Sequence, residues 1–167
     1  MKKLFALVMV FSFITSFLLA NSLELGSPAP QLKVLTDEGI TLDLGEALSA
    51  GTTLVFFYPK AMTPGCVKQA CSLRDGWDEL QARDVKIFGV SSDTAKTQAQ
   101  FRDKYTLPFT LLADTDGKIA DAFSKSRWSR QAYLFRDGIL VWRDLMAATS
   151  KQATDVLAAL DELEPNS

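Results

Sequence analysis

The chain has 167 residues, 18 basic and 20 acidic side chains, two cysteines and no histidine. This length suits one domain with a sizeable core, and the near balance of charge argues against nucleic acid as a partner. The lack of histidine removes the commonest general base and the commonest metal ligand, and two cysteines alone make a poor zinc site. No Gly-rich phosphate loop or dinucleotide fingerprint occurs either. The sequence therefore predicts neither a metal nor a cofactor.

The N-terminal segment, residues 1–22, is typical of a secretory signal peptide. Two lysines precede an apolar stretch over residues 4–20, and Ala20-Asn21-Ser22 fits the small-x-small cleavage rule. Cleavage there would leave Leu23 as the first residue. The alternative is an uncleaved anchor, because 17 residues are at the short limit for spanning a bilayer. Both interpretations predict an exported domain over residues 23–167, in the periplasm or anchored facing it.

Hydrophobic periodicity and turn residues divide the rest of the chain into strands and helices. In chain order, the first predicted elements are a hairpin (31–35 and 39–42), a short helix capped by Asp43 (44–48), a buried strand (53–58), a helix (66–83) and a strand (85–90). A helix capped by Asp93 or Thr94 (to 105), a strand (110–112) and a short helix (117–123) follow. The last elements are a hairpin around Asp137-Gly138 (131–135 and 139–144) and an amphipathic helix (150–163). A βαβ core followed by a hairpin and a closing helix predicts an α/β, thioredoxin-like fold with a central mixed β-sheet flanked by helices on both faces.

The segment after the 53–58 strand carries the residues of greatest chemical interest. Pro59 ends the strand, because it has no N–H to donate. Thr63-Pro64-Gly65 forms a tight loop, and Cys66 falls in the first turn of the following helix. At that position, unpaired N–H groups and the positive end of the helix dipole favour a thiolate over a thiol.

The two cysteines, Cys66 and Cys71, are five positions apart on the predicted helix. On an intact helix such residues are about 140° apart around the axis, with Cα atoms roughly 8.6 Å apart. A disulfide spans only ~7 Å between Cα atoms. Pairing therefore requires the first helical turns to unwind, which suits one state of a redox cycle better than a structural crosslink. The alternative is a pair of small buried hydrophobic side chains.

Several motifs resemble those of the peroxiredoxin family. Residues 59–66, Pro-Lys-Ala-Met-Thr-Pro-Gly-Cys, carry its Pro-x-x-x-Thr-x-x-Cys pattern. The second cysteine at position 71 is similar to the bacterioferritin comigratory protein, or peroxiredoxin Q, branch. Further similarities lie at 72–75 (Ser-Leu-Arg-Asp), 89–93 (Gly-Val-Ser-Ser-Asp) and 109–114 (Phe-Thr-Leu-Leu-Ala-Asp). Two departures are Val67, where the family often has threonine, and Gln69, where it often has an acidic residue.

The resemblance implies that Cys66 is the peroxidatic cysteine and Cys71 the resolving cysteine. It also implies an arginine beside the thiolate, which maps to Arg130 directly before the 131–135 strand, with Arg127 as the nearby alternative. The disulfide between the two cysteines is implied in the same way.

The peroxide site that the resemblance implies must work without histidine. Arg130 and the backbone N–H groups around Gly65 would stabilise the thiolate and hold a peroxide oxygen. The Thr63 hydroxyl would accept from the peroxide and donate to the sulfur, since it has both capacities. Pro59 and Pro64 would shape the loop and shield the sulfur from water.

The implied substrates are hydrogen peroxide and organic hydroperoxides, and the implied reductant is a thioredoxin-like protein outside the cytoplasm. Because one chain contains both cysteines, a monomer suffices for turnover. One alternative is a thiol–disulfide oxidoreductase acting on protein substrates, although that chemistry usually uses Cys-x-x-Cys. Another is a non-catalytic binding module, against which the set of Thr63, Cys66 and Arg130 argues.

Overall fold

The computed structural model describes residues 23–164, so the predicted signal peptide lies outside the described residues. The strands of this region are β1 Lys33–Thr36, β2 Thr41–Asp43, β3 Thr52–Phe57, β4 Val85–Ser91, β5 Thr110–Ala113, β6 Gln131–Arg136 and β7 Ile139–Asp144. Its helices are α1 Leu44–Leu48, α2 Pro64–Asp75, α3 Trp77–Gln81, α4 Ala95–Tyr105, α5 Lys118–Ala122 and α6 Gln152–Leu163. Over the same residues, the helices are too short or too polar to cross a membrane.

These strands form one mixed sheet in the order β2-β1-β5-β4-β3-β6-β7. β3 pairs in parallel with β4 and antiparallel with β6, and β4 pairs in parallel with β5. The outer pairs, β1–β2, β1–β5 and β6–β7, are antiparallel. The predicted central mixed sheet is thus confirmed. Because β3 and β4 are parallel, the loops that follow them emerge at the same edge of the sheet.

β3 divides the core into two layers. Leu54 and Phe56 pack in one layer with residues of α2, α3, α4 and α6. Val55 and Phe57 pack in the other layer with residues of α1 and α5. Successive side chains of a strand alternate between its faces, so the continuous apolar run of β3 fills both layers. The prediction of helices on both faces is confirmed.

The single helix predicted over residues 66–83 is wrong, because the chain breaks at Gly76 into α2 and α3. An added Cβ at Gly76 would lie 2.7 Å from the Cβ of Ala153 in α6. The close approach of α6 therefore requires glycine at this position. α2 also starts two residues before Cys66, at Pro64, since proline suits the first turn of a helix.

The predicted turn and cap residues account for several element boundaries. Asp43 caps α1 by accepting from the Glu46 N–H at 3.1 Å. Of the two candidate caps for α4, Thr94 takes the position and accepts from the Thr97 N–H at 3.2 Å. Asp137 and Gly138 both have left-handed backbones, with φ of 49° and 79°, as a two-residue hairpin turn between β6 and β7 requires.

Candidate active site

Cys66 is the third residue of α2, and the residue is 1 % exposed. Thr63 occupies the N-cap position, and the first helical hydrogen bond runs from the Val67 N–H to the Thr63 carbonyl at 2.9 Å. The N–H groups of Gly65 and Cys66 therefore precede the hydrogen-bonded turns. Together with the helix dipole they bring partial positive charge close to the sulfur, which stabilises a negative charge there.

Arg130 lies directly before β6 and reaches across to the start of α2. Its Nη2 is 3.5 Å from Cys66 Sγ. A Cβ added to Gly65 would lie 3.2 Å from the same nitrogen, so glycine leaves room for the guanidinium. Arg127 instead donates to the Thr115 carbonyl at 3.1 Å and is exposed. Of the two arginines considered from the sequence, the structure places Arg130 at the sulfur.

Two buried glutamines hold the other side of the Arg130 guanidinium. Arg130 Nη1 donates to Gln69 Oε1, and Gln69 Nε2 donates to Gln152 Oε1 at 2.7 Å. Both glutamine residues are fully buried. From the sequence, Gln69 stood out only as a departure from the family pattern. Gln152 carried no local signal, because its partner lies 83 positions away in the chain.

Thr63 and Pro59 belong to the loop between β3 and α2. The Thr63 hydroxyl donates to the Lys60 carbonyl at 2.9 Å, which uses its only proton. In this conformation it can accept from a peroxide, but it cannot also donate to the sulfur as expected from the sequence. Within residues 23–164, no hydrogen bond joins Thr63 to Cys66. Pro59 is half-buried two residues after the end of β3, where it contributes to the shape of the loop.

Asp93 anchors this loop from the end of β4. Its Oδ2 accepts from the Ala61 N–H at 2.7 Å and from Ser91 Oγ at 2.7 Å. Sequence reasoning missed this role, because it considered Asp93 as a helix cap and as the last residue of the 89–93 motif, not as a partner of the Cys66 loop. The available signal was an aspartate just beyond a buried strand that runs parallel to β3, since the two strands end at the same edge of the sheet.

Tyr58, the residue after β3, makes a second contribution to the site that was not predicted. Its hydroxyl donates to Gln98 Oε1 at 2.5 Å, and Gln98 Nε2 donates to the Leu112 carbonyl at 2.9 Å. Burial raises the pKa of the Tyr58 phenol far above its ordinary value, so the hydroxyl keeps its proton. The pair joins α4 to the sheet edge from which the Cys66 loop emerges.

Cys71 is half-buried, five residues after Cys66 on the same helix, and both cysteines are free thiols. α2 is continuous between them, so the spacing argument for an intact helix applies. In the part of the chain that the structure describes, no group of three or more Cys, Asp or Glu side chains is arranged to hold a metal ion.

Comparison with known proteins places the chain in a family. Residues 25–143 match the model of the AhpC/TSA family. The peroxiredoxin Bcp of Escherichia coli is 38 % identical over 121 residues, which cover 71 % of this chain and 76 % of that protein. The putative peroxiredoxin bcp of Coxiella burnetii is 42 % identical over 102 residues, which cover 61 % and 67 %.

Two solved structures have the same fold. The peroxidoxin BcpB of Mycobacterium tuberculosis superposes with a TM-score of 0.77 at 27 % identity, over 85 % of this chain and 99 % of that one. A peroxiredoxin Q of Xanthomonas campestris superposes with a TM-score of 0.74 at 27 % identity, over 80 % and 92 %.

The thioredoxin fold and the relatives named as peroxiredoxins show that the chain is a thiol peroxidase, a class that a buried cysteine at a helix start beside an arginine suits. The chain belongs to the AhpC/TSA family, and within that family it is a peroxiredoxin of the Bcp, or peroxiredoxin Q, type.

Proposed function

We propose that the protein reduces hydrogen peroxide and organic hydroperoxides with Cys66 as the attacking residue and Cys71 as the resolving residue. The observation that carries the proposal is the 3.5 Å contact between Arg130 Nη2 and the buried Cys66 Sγ. A guanidinium is a permanent cation, so it stabilises a thiolate without accepting a proton. A chain with no histidine requires activation of this kind.

In the first step the Cys66 thiolate attacks the terminal oxygen of a peroxide. The S–O bond forms while the O–O bond breaks, and two electrons pass from sulfur to the peroxide. The leaving alkoxide or hydroxide takes a proton from water, and Cys66 becomes a sulfenic acid. Arg130 and the free N–H groups of Gly65 and Cys66 donate to the peroxide oxygens, where negative charge develops. The Thr63 hydroxyl accepts the hydrogen bond of the peroxide proton.

In the second step the Cys71 thiolate attacks the Cys66 sulfenic acid. The S–S bond forms while the S–O bond breaks, and the leaving hydroxide takes a proton to become water. The first turns of α2 unwind, because residues five apart on a helix are too distant for a disulfide. A thioredoxin-like protein then reduces the disulfide by thiol–disulfide exchange, which supplies two electrons.

The main alternative is a thiol–disulfide oxidoreductase that acts on other proteins. That chemistry needs a sulfur that a macromolecular disulfide can approach, whereas Cys66 is 1 % exposed. A small peroxide can enter where a folded protein cannot. The burial of Cys66 therefore supports peroxide as the substrate.

We also propose that the domain acts as a monomer outside the cytoplasm. One chain contains both cysteines, and residues 1–22 have the pattern of a signal peptide. Leu23 is already anchored to the domain, since its N–H donates to the Phe123 carbonyl at 3.1 Å. N-terminal sequencing of the protein recovered from a periplasmic extract tests cleavage before Leu23, and sedimentation velocity tests the monomer.

The catalytic proposal is tested by stopped-flow measurement of peroxide consumption. We expect Cys66→Ser to abolish the reaction and Cys71→Ser to allow one turnover before it stalls. Full activity of Cys66→Ser would refute the assignment. Insulin disulfide reduction, measured on the same samples, distinguishes the peroxidase from a thiol–disulfide oxidoreductase, because the proposed peroxidase should be inactive in that assay.

A further inference from the structure

A buried polar path runs from Cys66 through Arg130 and Gln69 to Gln152, at the start of α6. Arginine fixes its direction, because a guanidinium can only donate hydrogen bonds. Gln69 therefore turns its oxygen toward Arg130 and its nitrogen toward Gln152, which must present its own oxygen. Within residues 23–164, Gln152 Nε2 is left without a hydrogen-bond partner. The path thus ends on α6 and does not extend to solvent.

Gln69 lies between the two cysteines, in the part of α2 that must unwind before they can pair. Unwinding breaks both hydrogen bonds of the Gln69 carboxamide. It also leaves Gln152 with its oxygen unpaired in addition to its nitrogen, and buried unpaired polar groups destabilise the state that contains them. The other polar contact between these helices, from the Ala153 N–H to Ser72 Oγ at 3.2 Å, lies beyond Cys71 and can persist during unwinding.

We propose that Gln152 is a positioning residue that holds the first turns of α2 wound. It thereby sets how the Cys66 sulfenic acid divides between disulfide formation and over-oxidation. The inference rests on the proposed function, because it requires Cys71 to be the resolving residue. In the competing reaction, the sulfenate sulfur attacks a second peroxide. Another S–O bond forms, the O–O bond breaks, water or an alcohol leaves, and a sulfinic acid remains.

Three substitutions at Gln152 separate the hydrogen bond from the bulk of the side chain. Gln152→Met keeps the length but removes the acceptor, and Gln152→Asn keeps the carboxamide but withdraws it by one methylene. Both leave Gln69 Nε2 unpaired in the wound state. Both should therefore raise the equilibrium constant for unwinding of α2 by about tenfold. Gln152→Glu keeps an acceptor at the same distance, and burial favours the neutral, protonated form of its carboxyl, so it should behave as the unsubstituted protein does.

Val156→Ala is the matched control. Val156 is fully buried one turn further along α6 and packs in the same core layer, and its apolar side chain takes no part in the hydrogen bonds of the polar path. Its truncation loosens α6 and lowers stability, but it leaves the bond between the two glutamines intact. A general weakening of α6 and a specific loss of the Gln152 contact are thus distinguished.

The measurement is the fraction of Cys66 converted to sulfinic acid per turnover, by intact-protein mass spectrometry. The purified protein turns over hydrogen peroxide at a series of concentrations, with dithiothreitol as the reductant. We expect the peroxide concentration that over-oxidises half of the protein to be about tenfold higher for Gln152→Met and Gln152→Asn. For Gln152→Glu and Val156→Ala it should stay within about twofold of the unsubstituted value.

An unchanged concentration for whichever of the Met and Asn variants is folded would overturn the inference. An equal shift in Val156→Ala or in Gln152→Glu would also overturn it. The unsubstituted protein tests the proposed function separately, because peroxide must convert it to the disulfide between Cys66 and Cys71. If that disulfide forms and the Gln152 variants leave the partition unchanged, only the inference fails.

Discussion

The carboxylate of Asp93 accepts a hydrogen bond from the backbone N–H of Ala61 at 2.7 Å, across 32 positions of the chain. Ala61 is buried in the loop that leads to Cys66, and the same carboxylate oxygen also accepts from Ser91 Oγ. The end of β4 therefore holds the loop that follows β3. The position of the sulfur depends on a residue in a different βα connection.

Asp93→Ala should lower both stability and activity. The Ala61 N–H and the Ser91 hydroxyl would lose their acceptor, which lowers the free energy of unfolding by about 1–3 kcal/mol. The rate constant for peroxide reduction should fall as well, because the loop is released. Urea unfolding and stopped-flow kinetics measure the two effects.

The neighbouring Thr94→Ala is the control for this prediction. Thr94 caps α4, so its loss lowers the free energy of unfolding by about 1 kcal/mol. It should leave the peroxide rate constant unchanged, because no hydrogen bond of Thr94 reaches the loop. Equal rate constants for Asp93→Ala and Thr94→Ala would contradict a positional role for Asp93.

Arg130→Met should slow the reaction of Cys66 with peroxide by about 10²–10³-fold, the loss typical of removing one donor from a preorganised anion site. Methionine keeps much of the length but removes the charge beside the sulfur. Second-order rate constants from stopped-flow mixing measure the change.

Arg127→Met removes an arginine three positions away that donates to the Thr115 carbonyl. It alters net charge by the same amount and should retain nearly all of the activity. A comparable loss in both variants would mean that long-range charge, rather than contact with the sulfur, accounts for the effect.

Gly76→Ala should destabilise the fold by about 1–3 kcal/mol through overpacking. The backbone of Gly76 has φ of −90°, which alanine adopts freely, so the cost comes from the 2.7 Å contact with the Ala153 Cβ. Combining it with Ala153→Gly removes the clash. We expect the double variant to be more stable than the sum of the single changes predicts, by about 1 kcal/mol or more. Additive losses in urea unfolding would show that the contact is not the cause.

Lys125 should make stability depend on pH in the alkaline range. Its Nζ lies 4.5 Å from the centre of the Phe57 ring, and burial lowers its pKa to about 8. Between that value and the ordinary lysine pKa near 10.4, the unfolded chain binds a proton that the folded protein does not. Stability therefore rises with pH across this interval.

Lys125→Met isolates this contribution, because the titration of the other lysines is common to both proteins. Urea unfolding at pH 7 and at pH values between 8 and 10 should show the free energy of unfolding rising more steeply in the unsubstituted protein. Parallel curves for the two proteins would contradict a depressed pKa at Lys125. A steeper rise in the variant would contradict it too.

Much of the fold followed from signals that are local in the chain. The continuous apolar run of β3, the Asp137-Gly138 turn and the Asp43 cap each depend on a few consecutive residues, and each is confirmed. The break at Gly76 was missed, because the Cβ of Ala153, which leaves room only for glycine there, lies on a distant helix. Glycine within a helical pattern indicates a break only when the packing partner is known.

The candidate site likewise combines residues that the sequence indicated with contacts that only the structure shows. Cys66, Thr63 and Gly65 form one short motif, and the family pattern also pointed to Arg130. Neither the motif nor the pattern indicated that the Thr63 proton is bound to the Lys60 carbonyl. Nor could either show that the Arg130 guanidinium is shared with a buried glutamine.

By itself the sequence determined the class of fold, the position of Cys66 at a helix start and the need for activation without histidine. These depend on strand and helix periodicity, on proline and glycine in one loop, and on composition. Only the tertiary structure decided that Asp93, just after β4, holds the loop before that cysteine, and that Gln152 of α6 is joined to Arg130 through Gln69. Hydrogen bonds between residues 32 to 83 positions apart depend on strand order and helix docking, which no local pattern of residues encodes.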